Sequence, residues 1–153
     1  MSQAKTNARQ CAVQALYQWQ MTGQNLSLIE IQFHEEERLK DAQKSYFTEL
    51  FHGVPQQLDV IDAALTEFVD RPVDKIDPVE RAILRIGAYE LINRLETPYR
   101  VIINEAVNLA KHFGADGSHK YVNGILDKVA QTKRSTEIKM PKHKPQKAQE
   151  SKE

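Results

Sequence analysis

The chain has 153 residues with 21 basic and 21 acidic side chains and is 41% hydrophobic, enough for one domain with a sizeable core. The neutral total is uneven: residues 1–131 hold 14 basic and 18 acidic side chains (net −4), and residues 132–153 hold 7 and 3 (net +4). Any nucleic-acid site must therefore be a local patch and not a global field. One cysteine, Cys11, excludes an internal disulfide and a cysteine zinc site. No apolar run reaches transmembrane length and no leader-like stretch opens the chain, which predicts a soluble cytoplasmic protein.

The apolar spacing is helical throughout. Ala8, Ala12, Ala15, Leu16 and Trp19 predict a first amphipathic helix, stopped at Gly23. Cys11 falls within it and reads as a buried, inert thiol. Ser27-Leu28-Ile29-Glu30 predicts a capping box for a second helix. Tyr46, Phe47, Leu50 and Phe51 mark a third, ended by Gly53. Pro55 opens a fourth, with Leu58, Ile61, Leu65 and Phe68 in register before Arg71-Pro72 breaks it.

Asp77-Pro78-Val79-Glu80 is the clearest helix start: a cap, Pro at the first position and an acid at the third. Val79, Ile83, Leu84, Ile86, Leu91, Ile92 and Leu95 make the helix apolar on most sides, so it should be central. Glu90 falls within that arc, with Arg94 four residues on; of a catalytic carboxylate and a buried structural ion pair, the ion pair is the favoured reading. Thr97-Pro98 ends the helix, and Ile102, Ile103, Ala106, Val107, Ala110 and Phe113 form the next stripe. The prediction is an all-α bundle of about seven helices in two small subdomains, about 1–70 and 71–131. A basic disordered tail follows over 132–153.

The segment Phe113-Gly114-Ala115-Asp116-Gly117-Ser118-His119-Lys120-Tyr121 joins the last two helices. Gly114 suits a left-handed helix end, and Asp116 or Ser118 suits the next cap. Val122, Ile125, Leu126 and Val129 form the buried stripe of the last helix. His119, Lys120 and Tyr121 then share its first turn, beside free N–H groups and the positive dipole end. A cation, an imidazole and an aromatic ring suit a phosphate backbone and an unstacked base. The same pattern also fits a plain helix hairpin with a solvated polar face.

No phosphate loop, dinucleotide fingerprint, nucleophile elbow or zinc-protease motif is present. None of His34, His52, His112, His119 and His143 has a partner at metal-ligand spacing. The reading is a non-enzyme with no catalytic residue, metal or cofactor.

Three segments carry a family resemblance. They are Ala8-Arg9-Gln10-Cys11-Ala12-Val13-Gln14-Ala15-Leu16-Tyr17-Gln18-Trp19, then Val79-Glu80-Arg81-Ala82-Ile83-Leu84-Arg85-Ile86-Gly87-Ala88-Tyr89-Glu90-Leu91, then Val101-Ile102-Ile103-Asn104-Glu105-Ala106-Val107 running on through Asn123-Gly124. In this order and spacing they resemble the NusB family of bacterial transcription antitermination factors, over about residues 5–131. The resemblance implies a non-catalytic protein that pairs with ribosomal protein NusE and binds the single-stranded boxA element of ribosomal RNA transcripts. Together with other Nus factors it would keep RNA polymerase elongating. The family's RNA surface maps onto Lys5 and Arg9 of the N-terminus and onto Phe113, Ser118, His119, Lys120 and Tyr121 of the hairpin. Thr6 and Asn7 stand where relatives often carry arginine, and Gly117 stands where they often carry a second acid. The NusE-facing surface maps onto Tyr17 and Glu80 and their helical neighbours.

Within the residues themselves, Tyr121 on the flank of its stripe is the better base-stacking aromatic, while Phe113 fits core packing. Two other readings remain open. The RNA-binding module of cytosine-5 RNA methyltransferases is similar, but the residues after Gln131 hold no cofactor loop. A helical protein-interaction bundle without RNA binding is the other.

Overall fold

Asp77 opens the helix around which the others assemble. Its carboxylate accepts the Val79 and Glu80 N–H groups at 3.1 and 3.2 Å, and Pro78 occupies the first position. In the computed structural model, which describes residues 2–139, eight α-helices follow one another. They are α1 (Gln3–Thr22), α2 (Leu26–Glu35), α3 (Lys44–Gln56), α4 (Leu58–Thr66), α5 (Pro78–Asn93), α6 (Tyr99–Phe113), α7 (Ser118–Lys133) and α8 (Ser135–Lys139). A 3-10 turn, Val73–Lys75, precedes α5, and no strand occurs among the described residues.

Helix α5 packs against α1, α3, α4, α6 and α7, and Ala82 through Leu91 are all buried. Its neighbours come close because of two glycines. A Cβ on Gly87 would lie 2.5 Å from Leu126 of α7, and one on Gly53 would lie 2.6 Å from the Tyr89 ring. Gly53 thus admits Tyr89 and does not end α3, which continues to Gln56 with Pro55 in its last turn. Phe33, Phe47 and Phe51 stack at 5.8 and 5.5 Å between centroids and fill the space between α2 and α3.

Other boundaries depart from expectation for local reasons. Asn25, not Ser27, caps α2: its side chain accepts the Ser27 N–H at 2.8 Å. Glu30 is used instead to tie α2 to α3, through His52 at 2.8 Å and Thr48 at 3.1 Å. Gly23 is left-handed (φ 69°) and ends α1 as expected. Leu95 falls beyond the end of α5 and is 66% exposed, outside the core stripe.

The buried charges also pair differently from expectation. Glu90 bonds to Arg9 of α1, while Arg94 bonds to Glu49 and Glu96. The predicted tail begins too early. Helix α7 runs to Lys133, and Arg134 is 4% exposed. Its guanidinium donates to the carbonyls of Glu90, Leu91, Arg94 and Thr97 and to the Glu137 carboxylate, closing the C-terminal end of α5. Residues 132–139 therefore belong to the body, and the rest of the predicted tail lies outside the described residues. No helix among the described residues is long and apolar enough to cross a membrane.

Candidate nucleic-acid interface

The α6–α7 hairpin closes tightly. Gly114 is extended (φ −88°, ψ 171°) and not left-handed; glycine is needed because a Cβ would lie 2.6 Å from Ser118 Oγ and 2.8 Å from the Ala110 carbonyl. Gly117, at φ 82°, supplies the left-handed residue and caps α7 without a side-chain bond. Neither Asp116 nor Ser118 is the cap.

That turn sorts the hairpin residues. Ser118 is 3% exposed, and its Oγ has no partner among the described residues, so its side chain belongs to the turn's interior and not to the surface. The Ser118 and Lys120 N–H groups donate to the Ala115 and Gly117 carbonyls, which narrows the anion site expected at this helix start. Lys120 is exposed, and His119 is half-buried beside it. Tyr121 is half-buried, with its hydroxyl 3.4 Å from Asp70 and the Arg71 guanidinium 5.9 Å from its ring centre. Burial and then the Asp70 charge raise the Tyr121 pKa.

Phe113 faces a different way. It meets His112 edge-on at 4.6 Å and lines a groove of about 420 Å³ with Val13, Tyr17, Met21 and Val79. Tyr17 is 40% exposed in that groove. Glu80, next to Val79, is half-buried in the first turn of α5. The residues mapped to RNA and those mapped to a protein partner therefore meet at Phe113 and Val79. Met21 and Val79 are the helical neighbours of Tyr17 and Glu80 in this groove, and Val13, Tyr17 and Met21 repeat every four residues along α1.

The N-terminal cations separate. Lys5 is half-buried, its ammonium 5.1 Å from the Tyr46 ring centre. Arg9 is 1% exposed, which corrects its mapping to the RNA surface. Its guanidinium donates to Glu90 at 2.8 and 3.1 Å and to Glu105 at 3.2 Å, and the Tyr46 hydroxyl also bonds to Glu90. Burial opposes the Arg9 charge most strongly, but Glu90, Tyr46 and Glu105 outweigh it and hold its pKa above the usual value. The physical reason is register: Arg9, Ala12, Val13 and Leu16 lie on one helical face, and all are buried.

A family model matches residues 6–131, described as the NusB family. The chain belongs to the NusB family. The transcription antitermination protein NusB of Nitrosococcus oceani is 52% identical over 139 residues, covering 91% of this chain and 93% of that protein. Its counterpart in Yersinia pestis is 49% identical, covering 86% and 95%. Among solved structures, a crystal structure of antitermination factors NusB and NusE in complex with double-stranded RNA matches with a TM-score of 0.78 at 26% identity, covering 86% of this chain and 99% of the other. NusB of T. maritima matches with a TM-score of 0.72 at 28% identity, covering 86% and 93%. The role that the names of these relatives carry is transcription antitermination.

Proposed function

We propose that this member of the NusB family pairs with ribosomal protein NusE and, as that pair, binds the boxA RNA of ribosomal RNA transcripts. In the cytoplasm, with other Nus factors, it supports processive elongation by RNA polymerase. The observation that carries the reading is the continuity of two surfaces. An apolar groove holding Tyr17, Met21 and Val79 adjoins, through Phe113, a hairpin that presents Lys120, His119 and Tyr121. An apolar patch rimmed by polar groups is protein-docking chemistry. A lysine beside a partly exposed ring is single-strand RNA chemistry. A related NusB was crystallised with NusE and double-stranded RNA, which supports placing both partners on one protein.

The test is titration of a labelled boxA RNA with the chain, with and without NusE. The reading expects weak binding by the chain alone, tighter binding by the pair, and loss with Lys120→Ala. NusE binding without any RNA binding by the pair would reduce the protein to an interaction bundle.

A further inference from the structure

The loop between α4 and the 3-10 turn brings one more cation to the hairpin. Asp70 and Arg71 are both exposed and form a bidentate pair, Nε to Oδ1 at 2.8 Å and Nη2 to Oδ2 at 2.9 Å. Asp70 Oδ1 also lies 3.4 Å from the Tyr121 hydroxyl, and the Arg71 guanidinium stands 5.9 Å from the Tyr121 ring centre. Pro72 follows directly and fixes its own backbone angle, so the pair is presented from a stiff corner. Two distant segments thus meet at the ring best placed to stack on a base.

We propose that Arg71 is an RNA-binding residue of this surface and that Asp70 restrains it: Asp70 occupies the guanidinium until an RNA phosphate takes its place. The inference rests on the RNA-binding reading above. A carboxylate and a phosphate offer a guanidinium the same two-pronged acceptor geometry, so one can replace the other without rebuilding the site. An exposed, solvent-screened pair of this kind is weakly held, so a polyanion can drive the exchange. Released from Asp70, the guanidinium stays within reach of the Tyr121 ring and can bridge the phosphate of a base stacked there. Asp70, in turn, is a negative charge at the rim of the site and opposes RNA even when Arg71 is engaged.

Opposite signs for the two residues make the test sharp. The full-length chain paired with NusE is titrated with labelled boxA RNA at several salt concentrations. Arg71→Ala should weaken binding about five-fold and lower the salt slope by about 0.7. Asp70→Asn should tighten binding a few-fold, and should lose that effect in the Arg71→Ala background. A purely structural corner would respond differently, since breaking the pair from either side would weaken binding equally. Equal weakening by both substitutions would overturn the proposal, as would an unchanged affinity for Arg71→Ala. Loss of NusE binding with intrinsic RNA affinity unchanged would reassign Arg71 to the protein partner and overturn it too. Lys120→Ala, measured in parallel, separates the two levels: if it weakens RNA binding and Arg71→Ala does not, only the present inference falls.

Discussion

Arg134→Ala should destabilise the fold strongly, although the residue lies beyond the last apolar stripe. The guanidinium donates to Leu91 O at 2.7 Å, Arg94 O at 2.8 Å, Thr97 O at 3.0 Å and Glu90 O at 3.3 Å, and to Glu137 at 2.6 Å. A helix end leaves its last carbonyls without intrahelical partners, and here the side chain of the residue that follows α7 supplies donors to two of them, Glu90 and Leu91, and to Arg94 and Thr97 just beyond. Each hydrogen bond to a charged group is worth about 1.5–3 kcal/mol, and they do not add, because one cation serves all and water can reach part of the site. The net expectation is about 3 kcal/mol, or about 6–12 °C in Tm for a chain of this size. Calorimetry and urea unfolding should be run on Arg134→Ala, on Arg134→Lys, and on chains ending after Lys139 or after Lys133. Lysine has too few donors and should recover only part. The chain ending at Lys139 should behave as the full chain, and the one ending at Lys133 should resemble Arg134→Ala. A loss below about 0.5 kcal/mol for Arg134→Ala, the range of ordinary surface substitutions, would refute this capping account.

Three further expectations concern the interior and the partner groove. Arg9→Ala leaves Glu90 charged, buried and held only by Tyr46, and should cost about 3–5 kcal/mol, whereas Arg9→Met with Glu90→Met should recover most of that. The double variant, if folded by circular dichroism, should bind RNA like the wild type; clearly weaker binding would return Arg9 to the RNA surface. Tyr89 has its pKa pushed up to about 12, first by burial and then by Glu49. Since an unfolded tyrosine titrates near 10, its contribution is complete below about pH 10 and is lost as pH rises through about 12. Stability measured by urea should therefore fall less steeply between those values in Tyr89→Phe than in the wild type, and identical slopes would contradict the assignment. Glu80→Lys should lose about 1 kcal/mol of capping and dipole energy, remain folded and bind NusE poorly; undiminished NusE binding would move the partner site elsewhere.

What the sequence makes legible depends on how local the cause is. The α5 start is read correctly because cap, proline and acid act within four residues. The stripes Tyr46-Phe47-Leu50-Phe51 and Val122-Ile125-Leu126-Val129 are read correctly because burial repeats at helical spacing. Apart from the choice of cap residue at α2 and α7, the failures involve a second segment. Gly53 looks like a stop until Tyr89, 36 residues away, is seen against it. Arg134 looks like tail because its partners are backbone carbonyls, which leave no trace in side-chain patterning. Arg9 and Glu90 each break an apolar face, and the two anomalies together are the only sequence-level sign that they pair. Asp70, Arg71 and Tyr121 carry no joint signal, since nothing local links that loop to the hairpin.

Moving Arg9 indoors changes the electrostatic argument for RNA. The body is already acidic up to Gln131, and the expected N-terminal cluster is reduced to Lys5. Lys5 and Lys120 form no ion pair among the described residues, and Arg71 must leave Asp70 before it can meet a phosphate. At about 0.7 per phosphate neutralised on a single strand, three such cations give a salt slope near 2 for the chain alone. Lys5→Ala and Lys120→Ala should each remove about one contact of that slope and should add, because the two residues share no partner. So shallow a slope means that charge alone binds RNA weakly at physiological salt. On the function proposed above, much of the affinity then comes from base stacking on Tyr121 and from cations of a partner seated on the adjoining groove. NusE should accordingly raise the slope as well as the affinity. A slope near 4 or more for the chain without NusE would show that further cations, including those after Lys139, reach the RNA, and the division of labour between groove and hairpin would have to be abandoned.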